Sequence, residues 1–190
     1  MPSKFKPLVL ERPTLKYLSA YSAQVQTQVM QMLEQKKLAQ YLLTKYPNTH
    51  QISNDKALRT YVMTFKNQYL KKTAPLSQIK YDDKIHIINN ALGLHSYVSR
   101  VQGNKLKSKH EIRIGSLFKK APEDFLAMIV VHELAHLKEK EHNKAFYKLC
   151  QSMLPDYHQL ELDLRIYLTH LDELASISAE QTHIISEQLI

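Results

Sequence analysis

The chain contains very little cysteine, glycine and tryptophan, and it has no long apolar run. Its 190 residues include 1 cysteine, 3 glycines and no tryptophan. The single cysteine, Cys150, excludes an internal disulfide, and no segment near the N-terminus joins a basic start to an apolar run of signal-peptide length. No stretch approaches the roughly 20 apolar residues that cross a bilayer. We therefore expect a cytoplasmic protein that does not use a membrane.

The rest of the composition is that of a globular protein with an excess of positive charge. Hydrophobic residues make up 44% and charged residues 23% of the chain, which predicts a folded core rather than disorder. The formal net charge of +8 favours an anionic partner such as a phosphorylated substrate, nucleic acid or an acidic protein segment. The lysines are scattered in short pairs without a continuous basic block, so a solvated surface also explains them.

Apolar spacing predicts helices on both sides of a central group of strands. The helices are expected at 18–46, as one bent or two short helices, and at 55–72, 122–140, 144–153 and 158–174. Three short segments rich in β-branched residues predict a small antiparallel sheet: Lys84–Ile88, Tyr97–Val101 and Glu111–Ile114. A hairpin turn is expected at Gly103 and Asn104, with Lys105–His110 as a basic arm.

This order of elements predicts an α+β fold in one domain. The domain is expected to span 17–174, after an extended lead-in at 1–16 that is rich in proline. A polar tail at 175–190 is expected to follow it.

One segment, Ile129-Val-Val-His-Glu-Leu-Ala-His136, carries residues with obvious chemical potential. His132 and His136 are one helical turn apart, so both imidazoles can bind the same cation. Glu133 stands between them, which completes the H-E-x-x-H arrangement in which two histidines bind zinc and the glutamate acts as general base. The apolar residues around the motif predict a buried helix that places one zinc ion inside the fold.

The third zinc ligand has two candidates by spacing. His142 follows His136 by six residues, as in the pattern H-E-x-x-H-x-x-G-x-x-H, but Glu139 occupies the glycine position and the turn must be made in another way. The helix must also end near Lys140, because a continuous helix would turn His142 away. The alternative ligand is a glutamate from the following helices: Glu161 first and Glu173 second.

Four further segments also resemble the sequence of a known protein family: Asn90–His95, Val98–Gly103, His110–Arg113 and Leu154–Glu161. Together with Ile129–Phe146 they resemble the YgjP-like metallopeptidases, over most of the chain except its ends. The resemblance implies a zincin-like α+β domain related to SprT-like and WLM proteases. It also implies zinc bound by His132, His136 and His142, with Glu133 as base.

These features predict a zinc-dependent hydrolase, foremost a metallopeptidase. The positive charge supports a second hypothesis, a hydrolase of nucleotides or other phosphorylated substrates. A third is a nucleic-acid-associated module in which zinc only supports the fold, suggested by the basic residues Lys105–Lys109. The expected partner is a peptide or a small anionic substrate, with weak nucleic-acid contact besides. Candidates for binding the substrate or a developing oxyanion are Arg100, Arg113, His158, Arg165 and Tyr167.

Overall fold

The fold is known from a computed structural model that describes residues 15–85, 93–102 and 105–188, with side chains described at 15–85, 110–179 and 181. The described residues form α1 (Ala23–Glu34), α2 (Leu38–Lys45), α3 (Asp55–Tyr69), β1 (Leu76–Asp82), β2 (Gly93–Gln102), β3 (Lys105–Gly115), α4 (Glu123–Ala135), α5 (Lys144–Met153) and α6 (Tyr157–Gln188). Helices thus flank a central group of strands, which confirms the predicted α+β composition.

The chain divides into two compact units. One unit comprises residues 1–39 and 165–190, and the other comprises residues 40–164. In the first unit, the Tyr17 hydroxyl donates to Asp172 at 3.2 Å, and Arg165 donates to the Tyr17 carbonyl at 3.3 Å. The second unit contains the sheet and the H-E-x-x-H segment. The predicted domain limits at 17 and 174 stay a prediction.

The N-terminal helices begin and end where their sequence signals lie. The predicted helical region 18–46 contains two short helices, α1 and α2, and Lys36 between them has a left-handed φ of 54° that interrupts the helix. Asn54 caps α3 by accepting a hydrogen bond from the Ala57 amide at 2.9 Å. These local signals were sufficient because each acts within one helical turn.

The sheet is mixed, so the prediction of an antiparallel sheet is wrong for one of its two pairs. The strand order is β1-β3-β2; β1 pairs with β3 in parallel, whereas β2 pairs with β3 antiparallel. The central strand β3 buries Ile112 and Ile114 completely. Pairing partners depend on contacts distant in sequence, and the alternation within each strand does not indicate which neighbour it takes.

Two further details of the sheet prediction need correction. Lys84 and Ile85 of the predicted first strand follow β1 outside any strand, and His86–Ile88 lie outside the described residues. The first strand is instead β1, whose polar residues and bulge between Leu76 and Gln78 conceal the alternation. Lys105–His110 belongs to β3 and is not a loose arm, whereas Gly103 and Asn104 lie outside the described residues.

Helix α4 is the most buried element of the second unit. Ten of its 13 residues are buried, and it packs against α3, α5, β2 and β3. Glu123 and Asp124 lie in its first turn, where their negative charge is favourable to the helix dipole. This packing on several sides holds the H-E-x-x-H segment in a fixed position.

The last helix is longer than expected. The predicted helix 158–174 is part of α6, which continues to Gln188, so residues 175–188 of the predicted polar tail are helical. They include neither proline nor glycine, and nothing in their sequence terminates a helix. Within the described residues, no helix has both the length and the apolar character needed to cross a membrane.

Candidate metal centre

Helix α4 ends at the second histidine of the motif. Its last helical residue is Ala135, and His136 occupies the C-cap position. His132 therefore lies on the last turn, and His136 lies where the chain leaves the helix. The expectation that the helix ends before His142 is confirmed, and the end comes several residues earlier than the position near Lys140 that spacing indicated.

The turn after α4 is made without glycine. The Leu137 amide donates to the Leu134 carbonyl at 3.1 Å, and the Lys138 amide donates to the Ala135 carbonyl at 3.0 Å. These are tightened turns at a helix end. Among the described residues only Lys36 combines a side chain with a positive φ, so Glu139 keeps an ordinary backbone conformation. Glutamate can therefore occupy the position that glycine takes in the related pattern.

His142 lies between the turn and α5. Asn143 caps α5 by accepting a hydrogen bond from the Phe146 amide at 3.0 Å, and its own amide donates to the Glu141 carbonyl at 2.8 Å. These bonds fix the backbone on the C-terminal side of His142. The start of α5 thus directs the third imidazole back towards α4.

The three imidazoles converge on one point. His142 Nε2 lies 3.1 Å from His132 Nε2 and 3.2 Å from His136 Nε2. One ligand nitrogen from each of the three residues lies within 4.8 Å of the other two. In a tetrahedral site with metal–nitrogen distances of about 2.0–2.1 Å, neighbouring nitrogens are about 3.3–3.4 Å apart. The observed spacing therefore suits a single small cation.

Hydrogen bonding orients the His136 ring so that its Nε2 faces the other two histidines. Its Nδ1 lies 2.9 Å from the Glu139 carbonyl oxygen, which can only accept a hydrogen bond. Nδ1 must therefore carry the proton, and Nε2 of the neutral ring presents its lone pair. Burial lowers the pKa of His136 below its ordinary value of 6.5, which favours this neutral form.

His132 is oriented by a residue that the sequence analysis did not single out. Its Nδ1 lies 2.7 Å from the hydroxyl of Tyr157, a fully buried residue in the first turn of α6. With Nδ1 donating to this hydroxyl, Nε2 points towards the other two histidines. Tyr157 also interacts with the thiol of Cys150, and burial raises the pKa of that thiol to about 12. Cys150 is thus a buried structural residue.

The ring of Phe146 packs against the rings of all three histidines. Its ring centroid lies 5.0 Å from that of His132, and 4.7 Å from those of both His136 and His142. The side chain is completely buried. An apolar residue in this position restricts the imidazole orientations and limits access of water from that side. The sequence showed Phe146 only as part of an apolar stripe, and no spacing linked it or Tyr157 to the histidines.

Glu133 is buried and directly follows the first of the three histidines. Only 3% of it is exposed, and it follows His132 directly in the last turn of α4. In a helix it projects about 60° from the direction of His136. A carboxylate in this protected position has the location expected of a general base.

The glutamates considered as alternative ligands do not belong to the candidate metal-binding group found among the described residues. Among the described residues, the group of side chains that could hold a metal is the three histidines alone. Glu161 acts electrostatically on Tyr157 and Cys150. Glu173 lies 3.4 Å from His170 in the other unit. The structure therefore brings together the histidine set.

Of the five residues predicted to contact the substrate or oxyanion, His158 is linked to the histidines through the ring of Tyr147. Its exposed ring lies 5.2 Å from that of Tyr147, which in turn lies 6.4 Å from His142. Arg113 is held by Asp82 at 3.3 Å and by Glu111 at 3.8 Å. The side chain of Arg113 thus forms ion pairs within the sheet region, which is an ordinary structural role.

The remaining candidates are not brought to the histidines by any described contact. The side chain of Arg100 lies outside the described part of the chain, although its backbone pairs with Lys107. Arg165 and Tyr167 belong to the other unit, where Arg165 lies over the ring of Tyr21 at 5.9 Å. Burial raises the pKa of Tyr167. Their predicted role in substrate binding stays a prediction.

Comparison with known proteins gives one family and one close relative. Residues 13–167 match a family described as "YgjP-like, metallopeptidase domain". The chain is 55% identical over 157 residues to a protein of Escherichia coli (strain K12) named UTP pyrophosphatase, and the alignment covers 83% of this chain and 94% of that protein. No solved structure matches the chain. The family match includes all three histidines, Glu133 and Tyr157.

Proposed function

The chain belongs to the YgjP-like metallopeptidase family, and from that premise we propose that it is a zinc-dependent hydrolase of nucleoside triphosphates. In this proposal His132, His136 and His142 hold one zinc ion, and Glu133 is the catalytic base. The observation that carries the proposal is the convergence of three Nε2 atoms beside a buried carboxylate. Three nitrogen ligands leave a coordination position for water or substrate, as in catalytic rather than structural zinc sites.

The protein residues would divide the work between binding and proton transfer. Zinc, when bound, supplies a Lewis acid that polarises the substrate and makes water more acidic. Glu133 takes a proton from the attacking water and returns it to the leaving group. Tyr157 and the Glu139 carbonyl keep the imidazoles of His132 and His136 in the orientation that binds metal.

The choice of a nucleotide substrate rests on the relative. A protein that shares 55% of aligned residues with this chain is named UTP pyrophosphatase, and the shared region includes nearly all of that relative. The net charge of +8 also favours a polyanionic substrate. The proposed reaction is hydrolysis of UTP or a similar nucleoside triphosphate to the monophosphate and pyrophosphate.

A second candidate is peptide hydrolysis, the function that the sequence placed first. It is favoured by the description of the family as a metallopeptidase domain and by the H-E-x-x-H arrangement. The same activated water can attack a carbonyl or a phosphorus atom, so the metal centre alone does not select between the two substrates.

A panel of substrates tests both candidates. Zinc-loaded protein is incubated with the common nucleoside triphosphates and with a mixed peptide library, and the products are identified by mass spectrometry. We expect UMP and pyrophosphate from UTP, and a loss of at least about a hundredfold in rate for Glu133→Gln with zinc content retained. Glu141→Gln, which changes an exposed carboxylate in the same segment, is the matched control.

Two results would count against the proposal. Cleavage of peptides without hydrolysis of any nucleoside triphosphate would establish the second candidate instead. Equal nucleotide hydrolysis by the wild type and by Glu133→Gln would show that this glutamate is not the base.

A further inference from the structure

A cavity lined by three lysines lies beside the turn that follows the second histidine. It has a volume of about 290 Å³ and is lined by Gln68, Tyr69, Leu70, Lys71, Lys72 and Lys138. Leu70 is buried at its base, whereas the three lysines are exposed. The lining includes no acidic residue, so the positive charges of the lysines add together.

The lysine charges are not neutralised by neighbouring carboxylates. Within the described part of the chain, no ion pair joins Lys71, Lys72 or Lys138 to an acidic side chain. Other exposed lysines do have such partners, for example Lys45 with Asp163 at 2.6 Å. Three ammonium groups around one concave surface produce a positive potential that attracts a multivalent anion.

An ordered turn presents Lys71 and Lys72. The Leu70 amide donates to the Lys66 carbonyl at 2.8 Å, and the Thr73 hydroxyl donates to the Leu70 carbonyl at 2.7 Å. Lys66 is buried and its Nζ reaches the Thr73 carbonyl at 3.5 Å. The backbone that carries the lysine pair is therefore held before any ligand binds, which lowers the entropy cost of binding.

Lys138 connects the cavity to the metal centre. It is two residues after His136, so their Cα atoms are at most about 7.6 Å apart. The hydrogen bond from its amide to the Ala135 carbonyl keeps it in the turn at the end of α4. The cavity and the candidate metal centre thus share the short segment that follows α4, with Lys138 in one and His136 in the other.

On these grounds, and resting on the function proposed above, we propose that the cavity binds the pyrophosphate portion of a nucleoside triphosphate. Lys71, Lys72 and Lys138 contact the β- and γ-phosphates, while the α-phosphorus lies at the metal centre. Water adds to the α-phosphorus, the bond from that phosphorus to the bridging oxygen breaks, and this oxygen leaves on the β-phosphate. The lysines stabilise the negative charge that accumulates on the leaving pyrophosphate.

The size of the cavity agrees with this ligand. Pockets for drug-sized molecules occupy about 300–1,000 Å³, and the volume of this cavity is just below that range. It accommodates two phosphate groups more readily than a whole nucleotide. Lysine is suited to this task because a compact ammonium group can follow the phosphate oxygens without a fixed geometry.

Binding of inorganic pyrophosphate to metal-free protein tests the proposal directly. The protein is stripped of metal with a chelator, the chelator is removed, and pyrophosphate is titrated by calorimetry at low ionic strength. We expect Lys138→Gln to weaken binding by up to about fivefold, and Lys71→Gln/Lys72→Gln to weaken it by up to about twenty-fivefold, because exposed charge contacts contribute up to about fivefold each. Lys138→Arg should retain binding.

A second lysine pair provides the matched control. Lys36→Gln/Lys37→Gln removes the same charge from an exposed pair that does not line the cavity, and should alter the affinity by less than twofold. Absence of pyrophosphate binding by the wild type, unchanged affinity in the cavity variants, or an equal loss in the control pair would each overturn the proposal. Circular dichroism verifies that every variant is folded.

The same titration separates this proposal from the proposed function. If zinc-loaded wild-type protein fails to hydrolyse nucleoside triphosphates while the lysine-dependent binding of pyrophosphate persists, the reaction is wrong and the anion site stands. If hydrolysis occurs but the lysine variants bind pyrophosphate normally, the reaction stands and the anion site is wrong.

Discussion

Replacing Tyr157 by phenylalanine is expected to weaken zinc binding without unfolding the protein. The substitution removes only the hydroxyl that lies 2.7 Å from His132 Nδ1 and leaves the buried ring in place. The Nδ1 proton loses its acceptor, and the imidazole loses the contact that aims Nε2 at the metal. Removal of such a partner usually costs tenfold to a hundredfold in metal affinity, or about 1.4–2.8 kcal/mol.

The magnitude follows from two separate costs. An N–H group left without an acceptor away from water costs about 1–3 kcal/mol, and this cost applies to the Nδ1–H form that binds metal. Without metal, the ring of His132 can rotate or change tautomer and so avoid part of the cost of the unpaired N–H group. The metal-bound state should therefore be destabilised more than the metal-free state, and this difference is the loss of affinity.

Competition with a chromogenic zinc chelator measures the affinity, and thermal unfolding of the metal-free protein measures stability. Tyr81→Phe is the matched control, because the buried Tyr81 hydroxyl donates to the Ile52 carbonyl at 2.6 Å without contacting a histidine. It should lower stability but leave zinc affinity unchanged. The reasoning is refuted if Tyr157→Phe binds zinc within twofold of the wild type, or if Tyr81→Phe weakens zinc binding by the same factor.

Three other substitutions and treatments have defined outcomes. His142→Ala should lower zinc affinity by at least about a hundredfold because it removes one of three ligands, whereas the exposed His158→Ala should bind zinc normally by the same chelator assay. Asp163 is fully buried and, although burial alone would raise its pKa, hydrogen bonds from Lys45 and other donors lower it below 3.8. The stabilisation from the ionised carboxylate is therefore present above about pH 4 and is lost as the pH falls through the lowered pKa. Asp163→Asn should lower the free energy of unfolding by about 3 kcal/mol at pH 7. Urea unfolding should also show that the free energy of unfolding of this variant decreases less at acid pH than that of the wild type. The pKa of Cys150 is about 12, so about one protein molecule in 10⁴ carries this residue as a thiolate at pH 8. Cys150 should therefore react with a thiol reagent only after denaturation. Rapid reaction of the native protein would contradict its burial.

The turn after α4 explains how this family member differs from the glycine-containing pattern. Two tightened turns bring the chain away from the helix, and the carbonyl of Glu139 then accepts a hydrogen bond from His136. The segment that replaces the glycine turn thus also orients a histidine. A glycine at 139 would supply the same carbonyl, so the side chain of Glu139 is not what makes the turn.

The sequence by itself determined the features that act over short distances. The H-E-x-x-H spacing placed His132 and Glu133 on the last turn of one helix and His136 at its C-cap, because the helical repeat is fixed by the backbone. Caps at Asn54 and Asn143 were predictable because a side chain satisfies an amide two or three residues later. The β-branched segments gave β2 and the end of β3, since alternation is a property of each strand alone.

Only the tertiary structure decided the features that join distant parts of the chain. The parallel pairing of β1 with β3 depended on contacts between residues that are distant in sequence. The hydrogen bond between His132 Nδ1 and the Tyr157 hydroxyl joins residues 25 positions apart, and the lysine cavity is lined by residues from the end of α3 and from the turn after α4. The physical reason is that packing selects these contacts by shape and hydrogen-bond partners, which no periodicity in the sequence encodes.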